Sequence, residues 1–270
     1  MPERTLGPLA PPGVVAYTTR DRAREALRRA LPRRRGSLQA VRSAEELGEA
    51  LRTSFVDAVV IDLGVPSDDA WVAAAMARDF PSIPFFAYLP FRPADIALVG
   101  RAMRLEFADL LMEGAEDAVL REVMLPATFT ARFATALQGA EARLGLTTPL
   151  QRDAWRYIVA QGGRTVRTEA IATAVERTRE HLSRRFSADG APNLKRIIDL
   201  VRLLAAAELA KNPGLDLPDT ARILGFASAS HLSTTCQRLL GVKSGSLARL
   251  RPGDLMDRFV RQGRGRSRNG

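Results

Sequence analysis

The stretch AVVIDLGVPSDD (residues 58–69) carries the strongest fold signal in the sequence, because an apolar run ends there in an acid. A continuous apolar run of this length is typical of a strand buried on both faces of a parallel sheet. Asp62 stands at the end of this run, and Pro66 follows four positions later. The placement raises the question of whether Asp62 accepts a phosphoryl group or only belongs to a scaffold.

Four more short apolar runs surround this one, and helical patterns separate all five. The strand candidates are GVVAY (13–17), SLQAV (37–41), DAVVIDL (57–63), IPFFAYL (83–89) and FADLLM (107–112). The helical patterns cover residues 20–31, 43–54, 68–80 and 93–105 and resume at Glu116, and Ser43 with Glu46 predicts a capping box. Strict β–α alternation predicts an α/β doubly wound, parallel, five-stranded sheet of the flavodoxin type.

Charge divides the chain into two unlike halves. Residues 1–150 hold 18 Lys and Arg against 19 Asp and Glu, whereas residues 151–270 hold 22 against 11. The formal net charge of +10 therefore arises in the second half. A neutral half joined to a basic half favours a regulatory module joined to a polyanion binder.

The basic half contains no strand-like alternation and carries an internal repeat. TEAIATAVERTREHLSRRF (168–186) resembles LPDTARILGFASASHLSTTC (217–236), and the only two histidines, His181 and His231, hold the same place in each. A short helix, a turn and a second helix form the helix-turn-helix unit, whose second helix enters the DNA major groove. The apolar pattern of residues 192–210 predicts a connecting helix of roughly 28 Å, close to the ~34 Å of one DNA turn.

These patterns divide the chain into segments with distinct roles. We expect a disordered leader (1–12), a receiver-like α/β domain (13–125), a helical linker (126–149), an all-α double helix-turn-helix domain (150–252) and a basic tail (253–270). The linker prediction uses helix breaks at Pro126 and Gly145.

Other functional classes find little support in the sequence. Residues 1–150 contain no Gly-rich phosphate loop, nucleophile elbow or histidine, so we predict no enzyme and no cofactor. His181 and His231 have no carboxylate or cysteine partners, so we predict no metal site. The start of the sequence has no secretory h-region and no apolar run approaches 18 residues, so we expect a cytoplasmic protein without a membrane partner. Cys236 is interpreted as a small core residue, with a redox switch as the alternative.

Residues 150–250 resemble the DNA-binding domain of the AraC/XylS family of transcription regulators. The resemblance rests on EHLSRRF (180–186), RLLAAAELA (202–210), the LGF at 224–226 and SHLSTTCQRLLGVKSGSL (230–247). Thr220, Cys236 and Ser244 depart from the family, which usually has isoleucine, an aromatic residue and proline there.

The resemblance implies which side chains face DNA. Base contacts are expected from Glu180, Ser183 and Arg184 in the first unit and from Ala229, Ser230, Ser233 and Thr234 in the second. Arg184 can fork onto guanine and Glu180 can accept from cytosine, so the first unit is expected to supply more of the sequence readout. Phosphate contacts are expected from Arg177, Arg179, Arg185, Gln237 and Arg238.

The N-terminal half resembles the receiver domain of two-component response regulators, with Asp62 at the phosphoacceptor place. The resemblance requires acids after the first strand, where Thr18 and Thr19 stand, followed by Arg20, and Thr or Ser after the fourth, where Leu89 stands. It also requires a lysine after the fifth strand, near Glu113 and Gly114. A divalent cation needs carboxylate oxygens, so we predict a degenerate, phosphorylation-independent receiver.

The interpretation of the whole chain is a sequence-specific transcription regulator that binds double-stranded DNA. Its receiver-like domain would form a homodimer or dock a signalling protein, a small ligand or RNA polymerase. The alternatives are a true response regulator phosphorylated on Asp62 and a non-specific architectural DNA binder.

Overall fold

The computed structural model describes residues 9–31, 36–65, 67–187 and 190–266, and it divides into two compact units. Pro11–Arg132 and Asn212–Leu215 form what we call the N-terminal unit, and the other described residues form the C-terminal unit. Pro66, residues 1–8 of the predicted leader and residues 267–270 of the predicted tail lie outside the described residues. None of the helices described is both long enough and apolar enough to cross a membrane.

The N-terminal unit is built on the predicted sheet. Its strands are Gly13–Tyr17 (β1), Ser37–Val41 (β2), Ala58–Asp62 (β3), Phe85–Leu89 (β4) and Asp109–Met112 (β5). All pairings are parallel and the strand order is β2-β1-β3-β4-β5, which is the flavodoxin-type doubly wound order. The predicted fold class is therefore confirmed, and β3 and β4 are buried along their whole length.

Helices cover both faces of this sheet because right-handed crossovers alternate between them. They are Asp21–Ala30 (α1), Ala44–Thr53 (α2), Asp68–Ala75 (α3), Ile96–Ala102 (α4) and Asp117–Ala127 (α5), with 3₁₀ turns at Met76–Asp79 and Pro93–Asp95. On β1, Val14 and Ala16 pack with α1 and α5, whereas Val15 and Tyr17 pack with α2 and α3. Because successive side chains of a strand point to opposite faces of the sheet, β1 contributes to two separate cores.

The predicted capping box at α2 forms with one change of partner. The Ser43 side chain accepts from the Glu46 backbone N–H at 3.1 Å, as expected of an N-cap. The Glu46 carboxylate accepts from the backbone N–H of Arg42 at 2.8 Å, not from that of Ser43. The helix start is therefore as predicted, but the return hydrogen bond lies one residue earlier.

Asp57, just before β3, is a fully buried acid that links Gly13 and Thr130 on the side of the sheet where the strands begin. Its Oδ2 accepts from the Gly13 N–H at 2.8 Å, and its Oδ1 accepts from the Thr130 N–H at 3.2 Å and hydroxyl at 2.5 Å. Its backbone pairs with Gly13 and Phe129. A buried carboxylate is tolerated here because its oxygens are satisfied by hydrogen-bond donors.

The C-terminal unit is all helical. Phe129–Ala136 (α6) crosses the unit boundary, and the unit continues with Ala140–Arg143 (α7), Pro149–Val159 (α8), Thr168–Ala174 (α9), Arg179–Phe186 (α10), Leu194–Leu209 (α11), Leu217–Ile223 (α12), Ala229–Leu240 (α13) and Pro252–Arg266 (α14). Helix α11 is the predicted connecting helix, and nearly all of its residues are buried. Its 16 residues span about 24 Å.

Two segment boundaries differ from the sequence-based prediction. Helix α14 occupies residues that we assigned to a basic tail, because Leu255, Met256 and Phe259 place apolar side chains in the core. The boundary between the units falls at Arg132 and Phe133, inside the predicted linker, and Phe133, Leu137 and Leu146 are buried. The linker is helical as expected but packs as part of a core.

Cys236 lies in α13 and is fully buried, and burial raises its pKa to about 11. At neutral pH the thiol is therefore protonated, whereas the thiolate is the reactive form. Its surroundings favour the interpretation as a core residue over that as a redox switch.

We expect Asp57→Ala to lower the free energy of unfolding of the N-terminal unit by about 3 kcal/mol, because buried donors from Gly13 and Thr130 would lose their acceptor. Hydrogen exchange along a urea series, read on peptides from the sheet, would measure the change. Glu49→Ala, an exposed acid on α2, is the control with little expected effect. Equal unfolding midpoints for the two variants would contradict the role given to Asp57.

Candidate nucleic-acid interface

Helices α10 and α13 begin in the same way, which gives the sequence repeat a structural meaning. The Thr178 side chain accepts from the His181 N–H at 3.2 Å, and the Ser228 side chain accepts from the His231 N–H at 3.0 Å. Each hydroxyl is an N-cap that satisfies an unpaired backbone donor of the first helical turn. The two histidines therefore hold the same helical position in both units.

The two helix-turn-helix repeats, the first and second units of the sequence analysis, differ in the turns that precede α10 and α13. The first turn uses Glu176 with φ 54°, and the second uses Gly225 with φ 67°. A Cβ on Gly225 would lie 2.4 Å from the Thr165 hydroxyl oxygen, so glycine is required there for space as well as for conformation. Glu176 carries a side chain, so its left-handed backbone conformation is sterically unfavourable.

Leu182 and Leu232 anchor the two helices in the core, and both are fully buried. Buried leucines one position after the histidines leave the opposite side of each helix to solvent. Most of the predicted DNA-contact residues are exposed: Arg177 before α10, Arg179, Glu180, Ser183, Arg184 and Arg185 on α10, and Ser230, Thr234, Gln237 and Arg238 on α13. Each unit thus presents its second helix to a partner.

Ala229 and Ser233 are the predicted base-contact residues that are half-buried. The Ser233 hydroxyl lies 2.9 Å from that of Ser244, at the start of a 3₁₀ turn that covers Ser244–Arg249. Ser244 is where the family usually has proline, which has no side-chain hydrogen-bonding group. This hydroxyl pair occupies Ser233 and reduces its availability to a base.

Two of the predicted phosphate contacts have acidic neighbours. Arg179 pairs with Glu169 at 3.0 Å, and both side chains are mostly exposed. Arg238 pairs at 3.3 Å with Asp199, which is nearly buried on α11. The exposed Arg179–Glu169 pair contributes little stability, so Arg179 can exchange partners at low cost, whereas the buried Asp199 holds Arg238 in place.

Arg202, which the sequence argument did not single out, joins α11 to the turn of the second unit. Its guanidinium donates to the carbonyl of Leu224 at 2.9 and 3.3 Å and stacks 3.9 Å from the centre of the Phe226 ring. Burial lowers the pKa of Arg202, and Asp199 at 3.6 Å offsets this effect. The second unit is therefore fixed to α11 by a largely desolvated charge that donates two hydrogen bonds to the Leu224 carbonyl.

At the end of β3 in the N-terminal unit, Asp62 forms an ion pair with an arginine. We call this side of the sheet, where the parallel strands end, its upper edge. The Arg20 guanidinium donates to both Asp62 oxygens, at 2.5 and 2.9 Å, and to both Glu113 oxygens, at 2.9 and 3.0 Å. The Thr18 hydroxyl donates to Asp62 at 2.8 Å, and the Gly64 N–H donates at 3.0 Å. The hydrogen bond to Asp62 raises the pKa of Arg20, so the guanidinium stays charged.

This arrangement does not fit the divalent cation that a receiver fold implies. Both Asp62 oxygens are engaged by Arg20, and the Asp62 side chain is 2% exposed. A Cβ on Gly64 would lie 2.1 Å from the Arg20 guanidinium, so the loop packs directly against the ion pair. Among the described residues, no three His, Cys, Asp or Glu side chains are placed together as a metal site.

Sequence reasoning placed Arg20 and Glu113 only as departures from the receiver pattern. It missed that the two residues pair with each other. Arg20 follows β1, where acids are expected, and Glu113 follows β5, where a lysine is expected, so the two positions have exchanged the signs of their charges. The sequence separation of 93 positions hides the pairing in the sequence. The opposite signs at the two departures were the signal that could have revealed it.

Comparison with known protein families gives a match in the C-terminal unit. A family model described as a helix-turn-helix domain matches residues 171–249. None of the curated protein sequences matches the chain.

Similar solved structures include three response regulators. Full-length FixJ from B. japonicum is 18% identical, with 84% of this chain and 96% of that chain covered and a TM-score of 0.37. The REC domain of AraT from Geobacillus stearothermophilus is 23% identical, with 44% and 93% covered and a TM-score of 0.37. RcsB from Salmonella enterica serovar Typhimurium, bound to promoter rprA, is 15% identical, with 69% and 97% covered and a TM-score of 0.34.

The strand order of the N-terminal unit identifies its fold. The family match at residues 171–249 and the equivalent N-caps of α10 and α13 identify the C-terminal unit as a helix-turn-helix domain. The chain is a DNA-binding transcription regulator that joins a doubly wound α/β domain of the flavodoxin type to a helix-turn-helix domain at residues 171–249.

Proposed function

We propose that the protein regulates transcription by sequence-specific binding of double-stranded DNA through α10 and α13, without phosphorylation of its receiver-like unit. The observation that carries the proposal is the pair of identically capped helices that expose the predicted contact residues. A DNA-binding role also makes the cytoplasm the expected place of action.

The distribution of side chains supports the expectation that the first unit reads more sequence than the second. Helix α10 exposes Glu180 and Arg184, which suit cytosine and guanine edges. In the second unit Ser233 is engaged with Ser244, and Ala229 has no polar side-chain atoms. Arg238 and Gln237 extend from the exposed side of α13 and suit backbone contacts.

We expect Arg184→Ala to weaken binding to the preferred site by about 1–3 kcal/mol and to relax the preference at one base position, because a bidentate contact to guanine would be lost. Sites selected by the wild-type protein from a random DNA library would serve as ligands in a titration at fixed salt. Arg104→Ala, an exposed arginine of the N-terminal unit, removes the same charge as a control.

The result separates two roles of Arg184, and the wild-type titration tests the proposed function itself. An equal loss on selected and random DNA would make it a phosphate contact. A wild-type protein with a small affinity ratio between selected and random DNA would favour the architectural binder over a sequence-specific regulator.

Phosphorylation independence is supported by the ion pairs of Arg20. Phosphoryl transfer needs a cation at the developing negative charge and an accessible nucleophile. At Asp62 the cation is a tethered guanidinium that covers the carboxylate, and Glu113 adds a second negative charge within the same cluster. An incoming phosphoryl group would have to displace Arg20 and approach two carboxylates.

We expect acetyl phosphate with Mg²⁺ to leave Asp62 unmodified, and Mg²⁺ to leave the unfolding temperature of the wild type unchanged, because Arg20 engages both oxygens. Intact-mass and peptide analysis would detect an adduct, with a phosphorylatable response regulator as positive control. In Arg20→Ala, Mg²⁺ should raise the unfolding temperature because two carboxylates lose their cation. An adduct on wild-type Asp62 would establish the true response regulator instead.

Exposed apolar residues of the N-terminal unit support a second proposal, that this unit forms a homodimer. Ile96 at the start of α4 and Met103 at its end are 76% and 71% exposed, and they lie seven residues apart, on one side of the helix. Met112 on β5 and Val119 on α5 are also exposed apolar residues. An apolar surface on three consecutive elements favours a macromolecular partner, and we propose a second copy.

We expect Ile96→Asp combined with Met103→Asp to convert a wild-type dimer into a monomer, because charges would be introduced into an apolar interface. Sedimentation velocity at several protein concentrations would measure the mass. Val72→Asp, which changes an exposed apolar residue on α3, is the matched control. A wild type that is monomeric throughout would exclude the dimer and leave docking of a signalling protein or RNA polymerase.

A further inference from the structure

A basic groove lies between α10 and α13, on the N-terminal end of α11. Its volume is about 530 Å³, and its lining includes Ser183 from α10, Lys195, Arg196 and Asp199 from α11, and Arg238 from α13. Ser183 and Arg238 are exposed, line the groove, and are both among the predicted DNA-contact residues. A duplex that contacts both side chains would lie beside this groove.

The charge of the groove suits a phosphate group. Three of its lining side chains are cationic and one, Asp199, is anionic. Asp199 is already paired, with Arg238 at 3.3 Å and with Arg202 at 3.6 Å. Lys195 is exposed and, within the part of the chain that the structure describes, forms no ion pair.

We propose that this groove seats a phosphate of the DNA backbone between the two major-groove contacts, with Lys195 as its principal ligand and Asp199 as the residue that positions Arg238. The proposal rests on the DNA-binding function proposed above and adds a contact that the helix-turn-helix repeat does not contain. The ammonium of Lys195 supplies a mobile point charge, which suits a phosphate whose exact position varies with the DNA sequence. A contact of this kind contributes equally to specific and non-specific binding.

The composition of the chain allows a sharp chemical test. Lys195, Lys211 and Lys243 are the only lysines in the sequence. Lys211 lies just beyond the other end of α11 and pairs with Glu208 at 2.7 Å. Acylation of lysines in the free protein and in the complex with selected DNA, read by peptide mass spectrometry, should show protection of Lys195 while Lys211 remains as reactive as before.

A salt titration tests the same contact by affinity. Lys195→Ala should weaken binding to selected and random DNA by the same factor and reduce the slope of log Kd against log salt by about 0.9, the value for one phosphate contact. Lys211→Ala removes the same charge and should leave the slope unchanged. Lys195→Arg should restore the wild-type slope because it keeps the charge.

Each outcome distinguishes this proposal from the general one. Wild-type binding to selected DNA with unprotected Lys195 and an unchanged slope in Lys195→Ala would overturn the groove contact alone. A wild type that selects no DNA would overturn the proposed function. A loss confined to one base position in Lys195→Ala would make the lysine a base contact and would also overturn the proposal.

Discussion

The ion pairs of Arg20 organise the upper edge of the receiver-like unit. One guanidinium joins Asp62 at the end of β3 to Glu113 after β5, and Arg20 itself follows β1. Three chain segments therefore converge on a single positive charge that is largely removed from water. Removing that charge would leave two carboxylates facing each other, which is a costly arrangement in a partly buried site.

This constraint is compatible with the phosphorylation independence proposed above. The two apolar cores of the sheet are formed by apolar side chains of β1, β3 and β4 and do not include the ion pairs at the upper edge. The edge needs only charge balance, and an arginine with two acids provides it internally. A cation held by the chain requires no diffusible ion for that balance.

The parts that sequence could predict are those set by local pattern. The apolar runs placed β1 and β2 to the residue and the other strands within two residues. For β1, β3 and β4 the reason is that burial on both faces demands continuous apolar sequence. The duplicated His-Leu-Ser likewise identified α10 and α13. By contrast, the pairing of Arg20 with Glu113 depends on tertiary proximity. Helix α14 was missed because glycine and arginine near its end outweighed Leu255, Met256 and Phe259.

The same contrast applies to the DNA-binding surface, where exposed contact residues follow from helical position but their mutual placement does not. Arg202 fixes the turn of the second unit to α11 through Leu224 and Phe226, and Asp199 links that anchor to Arg238. Buried, hydrogen-bonded charges of this kind hold one geometry in preference to many. The separation of α10 and α13 is therefore set by α11, and under the proposed function a binding site would need two major-groove segments at that spacing.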